Sequence, residues 1–272
     1  MTATATVLAL SLTACDVGAK KDTRDPQAVL KAAAEKTAGT NSYRTKRQLT
    51  DAKGTERGEY AFSRKPALAE TRTWRPRRKD GKNDTDLWEE ITEGQTLYTR
   101  EAGAARGRWV SKDVPPYIGE EPPKPEDAQK TEEGSLPDLL GALRTSKDVR
   151  KVGRETVNGH QTTHFAGTVV LSDLLTDKSG AMRDWLRQQY VKKRREAGLE
   201  KVDIDLWIGE DDLPVKGAEH GKGTKGSRDL TEEYADFGAD PWIYVPKGKD
   251  VVTEDAYEQE LRDADRRGIH LS

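Results

Sequence analysis

Hydrophobic positions in this chain recur with a period of two over most of its length, and four stretches carry the helical period instead. Lys201–Ile208 is the clearest strand pattern. Val202, Ile204, Leu206 and Ile208 alternate there with Asp203, Asp205 and Trp207, which predicts a strand buried on one face. Tyr43–Leu49, Gly58–Phe62, Ala67–Trp74, Asp86–Ile91, Thr96–Arg100 and Arg108–Val110 read as further strands, separated by turns at Asp51–Gly54, Asp80–Asn83 and Glu93–Gly94. Asn158-Gly159 between Arg154–Val157 and Gln161–Leu171 is a tight-hairpin signal. Pro214–Glu219 and Leu230–Phe237 complete the strand set. Strand follows strand through short links, so the sheet is expected to be antiparallel.

The helical stretches carry their own start and stop signals. Asp25 is a good N-cap before Pro26, with Val29, Leu30, Ala33 and Ala34 on one stripe and Gly39 at the end. Leu136–Leu143 reads as a short helix with Ser135 as its cap. Ser179–Ala197 reads as a longer one, with Met182, Trp185, Leu186, Gln189 and Tyr190 near one face and Gly198 as its stop. Glu254–Arg267 is the last. Val114–Gly134 holds five prolines among acidic residues and reads as a loop.

Composition narrows the class. Charged residues make up 35% of the 272 and hydrophobic ones 33%, a thin apolar supply that leaves most of the charge on a wet surface. With 46 basic against 48 acidic residues, nothing points to nucleic acid as a partner.

The single cysteine decides the expected address. Leu12-Thr13-Ala14-Cys15 resembles a bacterial lipobox, at which the thiol becomes a diacylglyceryl cysteine and the preceding signal peptide is removed. Residues 1–14 are apolar or small, with Val7, Leu8, Leu10 and Leu12 as a short hydrophobic run, and polarity returns abruptly at Asp16. The run is shorter than the roughly 20 residues that span a bilayer. It lacks the usual leading Lys or Arg, so the true start is expected upstream. Residues 15–25 then form a lipidated tether. Two or more chains on one cysteine make a stable membrane anchor, since each buried methylene contributes about 0.8 kcal/mol. The domain is expected on the extracytoplasmic face of a cell membrane, with no thiol left for a disulfide.

Catalytic and metal signatures are weak. Gly-x-Ser-x-Gly, Ser-x-x-Lys, Walker and Rossmann patterns do not occur, and the expectation is a protein without enzyme activity or cofactor. His160 and His164 are four apart on a hairpin, about 13 Å along the strand, a poor zinc spacing. Asp203 and Asp205 fall on the polar phase of their strand. Glu210-Asp211-Asp212 lacks the Asp-x-Asp-x-Asp-Gly calcium pattern and reads as a solvated turn. Lys192, Lys193, Arg194 and Arg195 read as the wet, cationic end of a helix, with anionic headgroups as a second reading.

One resemblance gathers these segments. The lipobox, the first helix, the strand meander, Val157-Asn158-Gly159-His160-Gln161-Thr162-Thr163-His164-Phe165, Asp205-Leu206-Trp207-Ile208-Gly209-Glu210-Asp211-Asp212-Leu213-Pro214-Val215-Lys216 and Tyr234-Ala235-Asp236-Phe237-Gly238 together resemble LppX/LprG-type envelope lipoproteins of actinobacteria, which share the LolA-like architecture. The resemblance implies an α+β fold: a curved antiparallel sheet, a half-barrel, with helices packed on its concave side, formed as one domain by residues 26–272 with the proline-rich loop at 114–134. It also implies an apolar interior able to hold acyl chains, and so a membrane-anchored carrier or holder of a lipid or glycolipid. Candidate lining residues are Tyr60, Phe62, Phe165, Val169, Ile204 and Leu206 from the sheet, with Met182 and Leu186 from the covering helix. The chain departs from the pattern in having three Phe and several strands charged on both faces. The same residues serve equally well as a closed core. A non-catalytic interaction or sensor module with an envelope protein partner is the alternative function, and a cell-wall enzyme the third.

Overall fold

The computed structural model describes residues 23–79, 82–101, 104–114 and 136–268. The signal peptide, Cys15, the tether up to residue 22, the proline-rich stretch from residue 115, the Ser135 cap and the Asp80-Gly81 part of the second turn lie outside the described residues.

Helix α1 (Pro26–Ala38) starts where the sequence predicts, with the Asp25 carboxylate accepting from the Gln27 backbone N–H at 2.9 Å. Six strands follow: β1 (Ser42–Asp51), β2 (Gly54–Ser63), β3 (Leu68–Lys79), β4 (Lys82–Glu93), β5 (Thr96–Glu101) and β6 (Trp109–Asp113). Then come α2 (Leu136–Arg144), β7 (Arg150–Val157), β8 (His160–Val170), the short α3 (Leu171–Thr176), α4 (Asp184–Glu196), β9 (Lys201–Gly209), β10 (Pro214–Gly223), β11 (Gly226–Ala235), β12 (Val251–Thr253) and α5 (Glu254–Arg266). Among the described residues the strands form one open sheet of twelve, in the order β12-β6-β5-β4-β3-β2-β1-β11-β10-β9-β8-β7. Every neighbouring pair is antiparallel except β12 with β6. The expected α+β class, an open antiparallel sheet with helices on one face, is what the chain adopts.

Several local expectations are corrected. The helix expected from Ser179 starts at Asp184, because the chain first makes a turn: the Ser179 hydroxyl donates to Asp177, accepts from the Ala181 N–H, and Gly180 takes φ +74°. Met182 is therefore buried ahead of α4 rather than on it. Leu171, expected to end a strand, begins α3. Strand β12 adds to the far edge in parallel, after the chain has crossed back from the end of β11.

Register explains the core. Phe165 faces Leu206, Gly167 faces Ile204 and Val169 faces Val202, so one phase of β8 and β9 is apolar throughout. On β10 the same inward phase reads Val215, Gly217, Glu219, Gly221. The glycines admit α2 and the α4–β9 loop: a Cβ at Gly217 would lie 2.8 Å from a Leu139 methyl, and one at Gly221 would lie 2.7 Å from Leu199.

The tightest approach lies at the start of the β10–β11 turn, where a Cβ on Gly223 would fall 2.0 Å from the Gly198 carbonyl oxygen. Backbone cannot yield as a side-chain end does, so Gly223→Ala is expected to destabilise the fold by about 2–4 kcal/mol. Urea unfolding measures this; a loss under about 0.5 kcal/mol contradicts the packing.

Candidate functional site

The inner face of the sheet changes character from β8 to β3. Over β8 and β9 it is apolar, over β10 and β11 apolar positions alternate with the buried charges Glu219, Arg228 and Glu232, and α1–α4 cover this part. Phe165, Val169, Ile204, Leu206, Met182 and Leu186 meet there in one cluster with Leu30, Leu139, Leu143, Tyr190 and Tyr234. Tyr60 and Phe62 belong to a second, aromatic group with Tyr43 and Ala69. Phe237 packs against both, and its ring centroid is 5.7 Å from that of Tyr43. The eight candidate residues thus line one seam in two groups, and each is between 0% and 8% exposed. All three Phe of the chain sit in it.

A buried charged network interrupts the seam. Glu219, on the inward phase of β10, is fully buried, as is Arg194 on α4. Arg194 Nη2 donates to Glu219 Oε2 at 2.8 Å, Arg228 Nη1 donates to Oε1 at 2.6 Å, and the Tyr190 hydroxyl donates to Oε2. The Arg194 guanidinium also lies 3.5 Å over the Tyr190 ring. Burial pushes the Glu219 carboxyl up, but the two guanidiniums outweigh burial and hold it below the usual carboxylate range. The Tyr190 hydroxyl is pushed well up by burial and by Glu219, which keeps it a donor. Arg194 corrects the reading of residues 192–195 as a wet helix end: it turns inward because Glu219 is there to receive it.

One strand further, Glu232 accepts from the Tyr234 hydroxyl, and Arg47 on β1 lies 4.0 Å from Glu232 and 3.6 Å from Glu56. Those separations are ion pairs without hydrogen bonds. Arg47 Nε and Nη2 are buried and find no hydrogen-bond acceptor among the described residues. The seam therefore ends at a cation with donors to spare.

The outer face carries a separate polar arrangement. His164 lies between Glu155 (Nδ1 to Oε1, 2.9 Å) and Asp205 (Nε2 to Oδ1, 2.7 Å), stacked on Trp207 at 4.3 Å and 15°. Trp207 Nε1 donates to Glu155 at 3.0 Å, which, with His164, holds that carboxyl below its ordinary range. His160, at the hairpin turn, does not join them. Asp203 accepts from the Thr168 hydroxyl at 2.8 Å, and Asp212 in the β9–β10 turn binds Arg24.

No protein-family model matches the chain. An uncharacterised 31.2 kDa protein of Streptomyces griseus is 34% identical over 111 residues, which cover 41% of this chain and 36% of that protein. A Streptomyces coelicolor protein described as a candidate lipoprotein is 29% identical over 96 residues, covering 35% of this chain and 24% of its own length. The matched stretches thus span about a third and a quarter of those relatives. Among solved structures, LprF from Mycobacterium bovis aligns over 82% of this chain and 96% of its own, at 16% identity and a TM-score of 0.48. The Mycobacterium tuberculosis lipoprotein LppX aligns over 81% and 98%, at 10% identity and a TM-score of 0.47.

Glu219→Gln leaves two buried guanidiniums against a neutral amide and is expected to destabilise the protein by about 3–5 kcal/mol. Because the folded carboxyl lies below its unfolded value of roughly 4.3, its stabilisation is fully present above that value and is lost as pH falls through the folded one. Stability curves from pH 7 to pH 3 check both: the acid-side loss shrinks in the variant, and parallel curves contradict the network.

Proposed function

We propose that this protein is a lipoprotein anchored through Cys15 on the extracytoplasmic face of a cell membrane, and that its sheet–helix interior holds the apolar part of an amphiphilic ligand. The ligand class is a lipid or glycolipid, and the role is carrier or holder in the envelope, without bond-making chemistry. The observation that carries this reading is the single apolar seam joining Phe165, Val169, Met182, Leu186, Ile204 and Leu206 through Phe237 to Tyr60 and Phe62. Its polar end, where Arg47 stands between Glu56 and Glu232 with Nε and Nη2 lacking an acceptor among the described residues, suits a neutral hydrogen-bond-accepting headgroup, while the apolar length suits acyl chains. Binding would draw on apolar burial of about 25 cal/mol per Å², and the helices would move to admit the chain.

A second reading is favoured by one specific observation. All eight candidate side chains are packed out of solvent in this structure, as in a closed core, while the outer face presents the His164–Trp207 arrangement. A non-catalytic interaction module built on the half-barrel fits those facts.

Titration of delipidated protein with a fluorescent palmitate analogue separates the two. The carrier reading predicts saturable binding that Leu206→Trp, which fills the seam, weakens about tenfold or more and that Phe165→Ala, which enlarges it, preserves. Absence of saturable binding to the folded wild type contradicts the carrier reading and supports the closed scaffold.

A further inference from the structure

We propose that Trp242 and Tyr244 form a bilayer-contact patch, so that the tethered domain rests on the membrane by a defined end rather than swinging on its anchor. This inference rests on the reading of Cys15 as the lipidated residue.

Trp242 and Tyr244 are 82% and 61% exposed, the two most exposed large apolar side chains among the described residues. They lie on the segment that leaves β11 and crosses back to β12. That segment is fastened, not loose. Ser42 donates to the Ala239 carbonyl, Arg44 donates to the Pro241 carbonyl, and Pro241 and Pro246 are buried on either side of the aromatic pair. Trp242 takes φ +50°, and the Asp240 carboxylate accepts from its N–H at 2.9 Å. A bulky residue in the left-handed region strains the backbone, and an exposed indole returns no burial. Trp242 thus harms the fold it belongs to, which points to a use outside the fold.

The position of the tether says which surface it meets. The strand ladders place Ser42, Ala235, Pro214 and the β9–β10 turn at one end of the sheet. Arg24, two residues before α1, is paired to Asp212 in that turn at 2.6 Å. Helix α1, about 20 Å long at 1.5 Å per residue, runs from this point back to Ser42 beside the Trp242 segment. The tether exit and the aromatic pair therefore share one end of the molecule. From Cys15 to Thr23 the chain reaches at most about 27 Å, so this end stays within reach of the bilayer. At such confinement a weak interfacial contact becomes effective. Lys192, Lys193 and Arg195 sit at the other end: Lys193 lines a cleft with Asp51, Lys53 and Lys225 from the opposite turns. Exposed charges around the patch balance, Lys247 and Lys249 against Asp240 and Asp250, so the contact is apolar and interfacial, the setting Trp and Tyr favour.

The test uses the acylated full-length protein in phosphatidylcholine–phosphatidylglycerol vesicles, with and without brominated chains. The difference in emission between wild type and Trp242→Phe isolates Trp242 from the other five tryptophans. Brominated lipid is expected to remove most of that difference emission, at low and high salt alike, and to leave the Trp242→Phe signal unchanged. Trp242→Gly, whose backbone accepts the left-handed conformation, is expected to keep or raise the melting temperature while losing the contact. Emission from Trp242 that bromine does not touch, on protein carrying a palmitate label, overturns the patch, leaves the anchor standing and turns the aromatic pair toward a protein partner. Absence of the label at Cys15 overturns both.

Discussion

A carboxylate in an apolar interior has to be met by charge, and Glu219 is met by two guanidiniums from two different elements. Arg194 comes from α4 and Arg228 from β11, while Glu219 itself stands on β10 between two glycines. The glycines make room; the ions choose the register. Pulling Arg194 away from Glu219 strands a buried charge, at a cost of about 3–5 kcal/mol, so α4 cannot shift over β10 and β11 without meeting that penalty. In the proposed carrier the interior then has a fixed wall at α4 and a movable one at α1 and α2, which hold the sheet by apolar contacts through Leu30, Leu139 and Leu143. An amphiphile would enter on the movable side and place its polar end near Arg47, whose Nε and Nη2 have no acceptor among the described residues.

The sheet is also polarised along its strands. One end carries the Arg24–Asp212 pair, the start of β1 and the strained segment at Trp242; the other carries the tight turns at Asp51–Gly54 and Gly223–Gly226 and the last turn of α4. In the proposed anchoring at Cys15, the first end would face the membrane.

Much of this was legible in the sequence, for identifiable reasons. Strict alternation from Val202 to Ile208 and the Asn158-Gly159 turn, whose residues take φ +50° and +81°, are local signals that long-range packing had no reason to override. Asp25 and Pro26 announced α1 by the same logic. The partition of the eight candidate residues into two groups depends on which strands become neighbours, and the pairing of β1 with β11 joins positions about 190 residues apart, beyond any local pattern. Arg194 was hidden by its basic neighbours. The signal that reveals it is Glu219, a charge on the buried phase of a strand, which demands a cationic partner from somewhere. The carboxylates flanking His164 come from the neighbouring strands β7 and β9, so no spacing in one strand discloses them. Trp242 is unremarkable in sequence, and only its φ and exposure distinguish it.

The proposed interior is tested most directly by native mass spectrometry of the protein released from membranes in mild detergent, compared with its mass after organic extraction. The carrier account predicts a bound lipid or glycolipid beyond the covalent anchor, lost on extraction and absent from a variant with Leu206 enlarged to Trp. A mass accounted for by polypeptide and anchor alone, from a folded pool, contradicts it.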